Sequence, residues 1–248
     1  MEISNERLSA ISTRWEQIRA AQADAQLPEG RAALWQLLQR YGSTVQRYLL
    51  GAVRDDEQSR ELAQEFAVKF LQGAYQRADP NRGRFRDFLK GILRNLIYES
   101  RRRGQRQPRP MPENAPEPEV WDGVDAALDA TFVRCWREGL MDRAWDSLAI
   151  LERDSGQPYH TVLKYRVEHS EEHSEEMAGV LSARLGRAIL PATMRKALQR
   201  ARDKFADFLL VDLAASLENP SRENLEAELL ELDLYEYCRP ALERRPIS

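Results

Sequence analysis

The 248-residue chain is 42% hydrophobic and 31% charged, with a formal net charge of -3. That balance describes a globular protein with one large or two modest domains. No apolar run reaches the roughly 18 residues of a membrane span, and MEISNERLSAISTRWEQ lacks the layout of a signal peptide, so a cytoplasmic location is expected. The two cysteines, Cys135 and Cys238, are far apart and in no CxxC; they are expected to be packed thiols rather than a disulfide or a zinc site.

Apolar residues recur at helical spacing throughout and no period-two strand pattern competes, which predicts an all-α fold. Leu8, Ile11, Trp15 and Ile18 step by three or four, and Leu34, Leu37, Leu38, Tyr41, Val45 and Tyr48 recur at helical spacing. The helix from about Asp56 to Gln72 is expected to bury Leu62, Phe66 and Phe70, leaving Glu57, Glu61, Gln64 and Glu65 on a polar side. That side is either a partner surface or an ordinary solvated face.

The stretch RGRFRDFLKGILRNLIYESRRRGQR, Arg82 to Arg106, carries nine Arg and Lys against two acids. Phe85, Phe88, Leu89, Ile92, Leu93, Leu96 and Ile97 are its expected buried stripe. Arg86, Lys90, Arg94 and Tyr98 follow one another at four-residue intervals and lead into Arg101, Arg102 and Arg103. A phosphate backbone along that edge would meet cations for several turns, with Asn95 and Tyr98 available for a base.

QPRPMPENAPEPE, from Gln107 to Glu119, holds five prolines and reads as an extended linker between two domains. Beyond it, Leu128 to Glu152 is predicted as a supporting helix of the second domain, with Phe132, Trp136, Leu140, Trp145 and Leu148 in its core. The string from His169 to His173 matches HxxEH, a pattern of zinc hydrolases. A third ligand is not distinguished, the surroundings are polar, and no metal, cofactor or catalytic function is expected.

SEEMAGVLSARLGRAILPATMRKALQRARDKF then fits a helix-turn-helix: Ser174 as a cap, Gly186 as a stop and Pro191 in the first turn of the second helix. That second helix is expected to bury Met194, Leu198, Ala201, Phe205 and Phe208. It would present Thr193, Arg195, Lys196, Gln199, Arg200, Arg202 and Lys204 elsewhere, as a major-groove helix requires. A packed helical hairpin is the other reading. From Asn219 a last helical stretch follows, with Glu223, Glu226, Glu228 and Glu231 either solvated or shielding the basic surface of the second domain. The two basic clusters, Arg82–Arg106 and Arg187–Lys204, hold +7 and +5, which leaves -15 for the rest of the chain. Charge gathered in this way argues for contacts with a polyanion.

RELAQEF followed by ADPNRGRFRDFLKGILRNLIYESRRR resembles region 2 of the extracytoplasmic-function sigma factors of the bacterial sigma-70 family. LSARLGRAILPATMRKALQRARDKFADFLL is similar to their region 4, in the planctomycete-like form. The resemblance implies a region 2 domain over residues 1–106, a linker over 107–124, a region 4 helix-turn-helix over 125–217 and an acidic extension over 218–248. It implies that Asp55, Asp56, Glu61, Gln64 and Glu65 bind core RNA polymerase. It further implies that Arg84, Arg86, Lys90, Arg94, Asn95, Tyr98, Arg101, Arg102 and Arg103 recognise and melt the promoter minus-ten element. The minus-thirty-five element would fall to Thr193, Arg195, Lys196, Gln199, Arg200 and Arg202, and an anti-sigma factor or kinase is a possible regulator. Glu61-Leu62-Ala63-Gln64-Glu65 stands where the family commonly has Asp-Leu-Thr-Gln-Glu. Leu190 stands where Ser or Thr would cap the recognition helix, a difference of about 1 kcal/mol. A stand-alone helix-turn-helix regulator is the alternative, but it has no use for an acidic docking helix beside a basic-aromatic one.

Overall fold

The computed structural model describes residues 28–72, 74, 84–106, 121–186 and 188–245. The expected helix around Leu8–Ile18 and the Pro-rich segment lie outside these residues. Among the described residues there are nine α-helices and no strand, the all-α fold that the periodicity predicts. The chain divides into two compact units, one holding the described residues up to Gly139 together with Ala215–Asn219, the other holding Leu140–Ala214 and the chain from Pro220 onward.

The first unit contains α1 (Pro28–Val53), α2 (Asp56–Leu71), α3 (Phe85–Arg106) and the first half of α4 (Trp121–Ser155). Asp55 begins α2 by accepting a 2.8 Å hydrogen bond from the Gln58 N–H, with Asp56 and Glu57 in the first turn and Lys69 in the last. Those charges suit the helix dipole. Ser59, Leu62, Phe66 and Phe70 then form the buried stripe of α2. From α1, the ring of Tyr41 stacks on Trp136 at 5.2 Å, and Tyr48 meets Phe132 edge-on at 5.1 Å. A Cβ on Gly51 would sit 2.9 Å from the Thr131 methyl group, so the crossing of α1 and α4 relies on that glycine.

Here the structure corrects the expected domain membership of Phe132 and Trp136, which belong to the core of the first unit. Leu128, Phe132, Trp136, Leu140, Ala144 and Leu148 are all buried. Steps of four advance about 40° round a helix, so this stripe winds as it goes.

The second unit contains the rest of α4, α5 (Tyr159–Glu168), α6 (Ser174–Leu185), α7 (Pro191–Ser216) up to Ala214, α8 (Arg222–Glu231) and α9 (Tyr235–Arg244). Its core joins Trp145 to Phe205 at 4.7 Å, with Met194, Leu198 and Ala201 of α7 buried as expected. Gly186 ends α6 at φ 64°, a left-handed conformation suited to glycine, and the Ser182 hydroxyl accepts a 2.8 Å bond from the Ile189 N–H across the turn. The cap of α6 is His173 rather than Ser174: the His173 N–H donates to Glu176 Oε2 at 2.8 Å.

The C-terminal segment is part of this unit's core, not a detached acidic cover. Leu225, Leu229, Leu232, Cys238, Ala241 and Leu242 are buried, and so is Glu228. Glu226 pairs with Arg222 on its own helix. Of the two readings of its glutamates, the packed helix with a solvated face fits better, since the extension meets α7 through cations: Arg244 pairs with Asp203 at 3.1 Å and Arg245 with Asp207 at 3.2 Å.

Candidate nucleic-acid interface

In the first unit the candidate residues lie on α2 and α3. Asp55, Asp56, Glu61 and Gln64 are exposed, and Glu65 is half-buried. Two of them have local work as well, since Asp55 caps α2 and Asp56 pairs with Arg60. Glu65 accepts from Lys69 at 2.8 Å and from Arg103 at 2.7 Å. Burial alone pushes the Glu65 carboxyl up, but those two hydrogen bonds outweigh it and hold the group below the usual carboxylate range. The same contact raises the Arg103 guanidinium further. A residue expected to bind polymerase and one expected to bind DNA are thus partners of each other.

Along α3 the buried stripe is the expected one, from Phe85 to Ile97, with Phe88 half-exposed. Arg86 is a correction to the basic edge. It is only 3% exposed, so it does not stand on a surface that a phosphate backbone could follow. The reason is helical drift: at about 100° per residue, a row taken every four residues turns about 40° per step, and its first member falls inside the apolar stripe flanked by Leu93 and Ile97. Further along, the row emerges. Arg84 donates to Asp87 at 2.9 Å, Lys90, Arg94 and Tyr98 are half-exposed, and Asn95, Arg102 and Arg103 are exposed, with Arg101 beside them half-buried.

The middle of this row is covered by acids that the sequence reading passed over. Asp125 and Asp129 of α4 lie against it: Arg94 pairs with Asp125 at 3.0 Å and with Asp129 at 3.5 Å, and Lys90 reaches Asp129 at 3.6 Å. The Tyr98 hydroxyl donates to Asp125, and the Arg94 guanidinium lies 6.0 Å from the Tyr98 ring. The available signal was charge complementarity, because Asp125 and Asp129 share the four-residue spacing of Lys90, Arg94 and Tyr98.

In the second unit, Thr193, Arg195, Lys196, Gln199, Arg200 and Arg202 are all exposed on α7, on the faces outside its buried stripe. Arg195, Gln199 and Arg202 line an open hollow of about 430 Å³ together with Arg166, Ser170, Ser174 and Leu198. Leu190 is 71% exposed in front of α7, with its carbonyl accepting from the Met194 N–H at 2.9 Å. The histidine string forms the turn between α5 and α6. His169 stacks on Tyr165 at 4.3 Å, and Glu172 accepts from the Tyr165 hydroxyl at 2.7 Å, which raises the Tyr165 pKa. The third histidine, His160, packs edge-on against Trp145. Among the described residues no group of three or more His, Cys, Asp or Glu is placed to hold a metal ion, and no helix is long and apolar enough to cross a membrane.

No curated protein and no solved structure matches the chain. Residues 37–107, most of α1 with α2 and α3, do match the family model described as Sigma-70 region 2. The helices that carry the acidic α2 face and the basic end of α3 are thus similar to sigma-70 region 2.

Proposed function

We propose that the chain is a sigma factor of the extracytoplasmic-function group, of planctomycete-like type, which directs core RNA polymerase to its promoters and acts without catalysis. The observation that carries this reading is the coincidence, inside the 37–107 match, of an exposed acidic face on α2 with exposed cations at the end of α3. The two surfaces have different partners. Glu61, Gln64 and Asp56 suit a basic protein surface on the polymerase, while Asn95, Arg101, Arg102 and Arg103 suit an opened minus-ten strand, whose phosphates need cations and whose bases need donors.

The second unit would then supply region 4. Arg195, Lys196, Gln199, Arg200 and Arg202 project from α7 as side chains for base edges and phosphates of the minus-thirty-five element, with Thr193 near the helix start. Two modest DNA contacts on one chain gain from high effective concentration. An anti-sigma factor or kinase would act by occupying one of these faces.

The test is gel filtration of the full chain with bacterial core polymerase, beside a Glu61→Lys/Gln64→Ala variant. These two side chains are exposed, so the fold should tolerate the change. Co-elution of the wild type and its loss in the variant is the expected result. Failure of the wild type to bind core while it still binds duplex DNA would replace this reading with that of a stand-alone regulator.

A further inference from the structure

We propose that the first turns of α4 are a built-in competitor for nucleic acid, with Asp125 and Asp129 occupying the cations of α3 that a DNA strand would otherwise use. This rests on the reading of α3 as a DNA surface. The three middle members of the row each have an acidic partner on α4: Arg94 holds both carboxylates, Lys90 reaches Asp129, and Tyr98 donates to Asp125. A carboxylate offers a guanidinium the same pair of acceptor oxygens as a phosphodiester does. While these contacts stand, the exposed side chains of the row among the described residues are Asn95, Arg102 and Arg103, and Arg103 is itself held by Glu65 at 2.7 Å.

The cover is built to come off. Its ion pairs are half-exposed, with Arg94 at 26%, Asp125 at 41% and Asp129 at 42%, so each is weak and sensitive to salt. Within residues 125–130 only Leu128 is buried, and the alanines at 126, 127 and 130 are exposed. The stronger anchors, Phe132 and Trp136, begin one turn later. The first turns can therefore leave α3 without uprooting the aromatic core. A strand that supplies several phosphates at once would displace them, and a partner that draws α4 away would switch on DNA binding.

The test is fluorescence anisotropy of a labelled single-stranded oligonucleotide titrated with the full chain at low salt. Asp125→Asn/Asp129→Asn keeps side-chain shape and removes the charges. It should bind about tenfold tighter than wild type, since three modest ion pairs no longer compete. Asp146→Asn/Asp154→Asn, which removes the same charge from exposed positions in the second half of α4, should stay within about twofold of wild type. Asp129→Asn alone, whose pairs are the longer ones, should give about a threefold gain and serves if the double variant unfolds. Equal tightening by both double variants, or none by Asp125→Asn/Asp129→Asn, overturns the competitor. Arg101→Gln/Arg102→Gln separates the two readings. If it weakens binding while the aspartate changes do nothing, the DNA surface stands and the cover is wrong; if it binds as wild type does, the DNA surface itself fails.

Discussion

Removing Trp136 tests whether the first half of α4 completes the first unit. The side chain is 1% exposed, lies flat against Tyr41 at 5.2 Å and has Phe132 and Phe85 at 6.0 and 6.2 Å. Burying an indole removes about 150–250 Å² from water, roughly 4–6 kcal/mol at 25 cal/mol per Å². Truncation of such residues to alanine costs about 3–5 kcal/mol. A small domain has only about 5–15 kcal/mol to lose, so Trp136→Ala should remove much of the unit's stability. The assay is urea unfolding followed by far-ultraviolet circular dichroism, on a fragment of residues 28–139, the same fragment with Trp136→Ala, and a fragment of residues 28–106. The first should unfold cooperatively, the second at a much lower midpoint, and the third, lacking Leu128, Phe132 and Trp136 altogether, should show no cooperative transition. A 28–106 fragment that unfolds at the midpoint of 28–139 would refute the reasoning, because α1–α3 would then be a complete domain and α4 an ornament on it.

Three further predictions concern buried groups. Arg143 and Asp212 pair at 2.7 Å with side chains only 14% and 8% exposed, so Asp212→Asn, which turns a charge-assisted hydrogen bond into a neutral one, should cost about 1–2 kcal/mol in urea unfolding. The Cys238 thiol is pushed up to about 12 by burial, with the nearby Asp207 charge adding to it, and burial raises Cys135 too. Neither thiol should react with an aromatic disulfide reagent at pH 8 until the chain is unfolded. Because the folded pKa of Cys238 is raised, its contribution to stability is complete below the ordinary thiol pKa of about 8.5 and is lost as pH climbs towards 12. Cys238→Ala should flatten the alkaline decline of the second unit's stability, and an unchanged decline would mean that the thiol is not the group responsible.

What the sequence made legible was local. Leu62, Phe66 and Phe70, or Met194, Leu198, Ala201 and Phe205, repeat at helical spacing because each helix buries one face, and all of them are buried. Arg86 was misplaced by the same kind of reasoning, since a row of four-residue steps was taken as one face when it drifts from the core into solvent. Trp136 was placed with its neighbours in sequence because the stripe from Leu128 to Leu148 is unbroken, and nothing local marks where its partners change from one unit to the other. Glu228 looked like one acid among many on a solvated helix, whereas its position beside Leu225 and Leu229 turns it inward. The pairing of Asp125 and Asp129 with Arg94 joins residues more than 30 apart, and spacing carries no information across such a gap. Charge does carry some. In a chain with net charge -3 that gathers +7 into one segment, the balancing acids must lie elsewhere. Two of them, Asp125 and Asp129, return to the same surface and pair with its Lys90 and Arg94 rather than facing solvent alone.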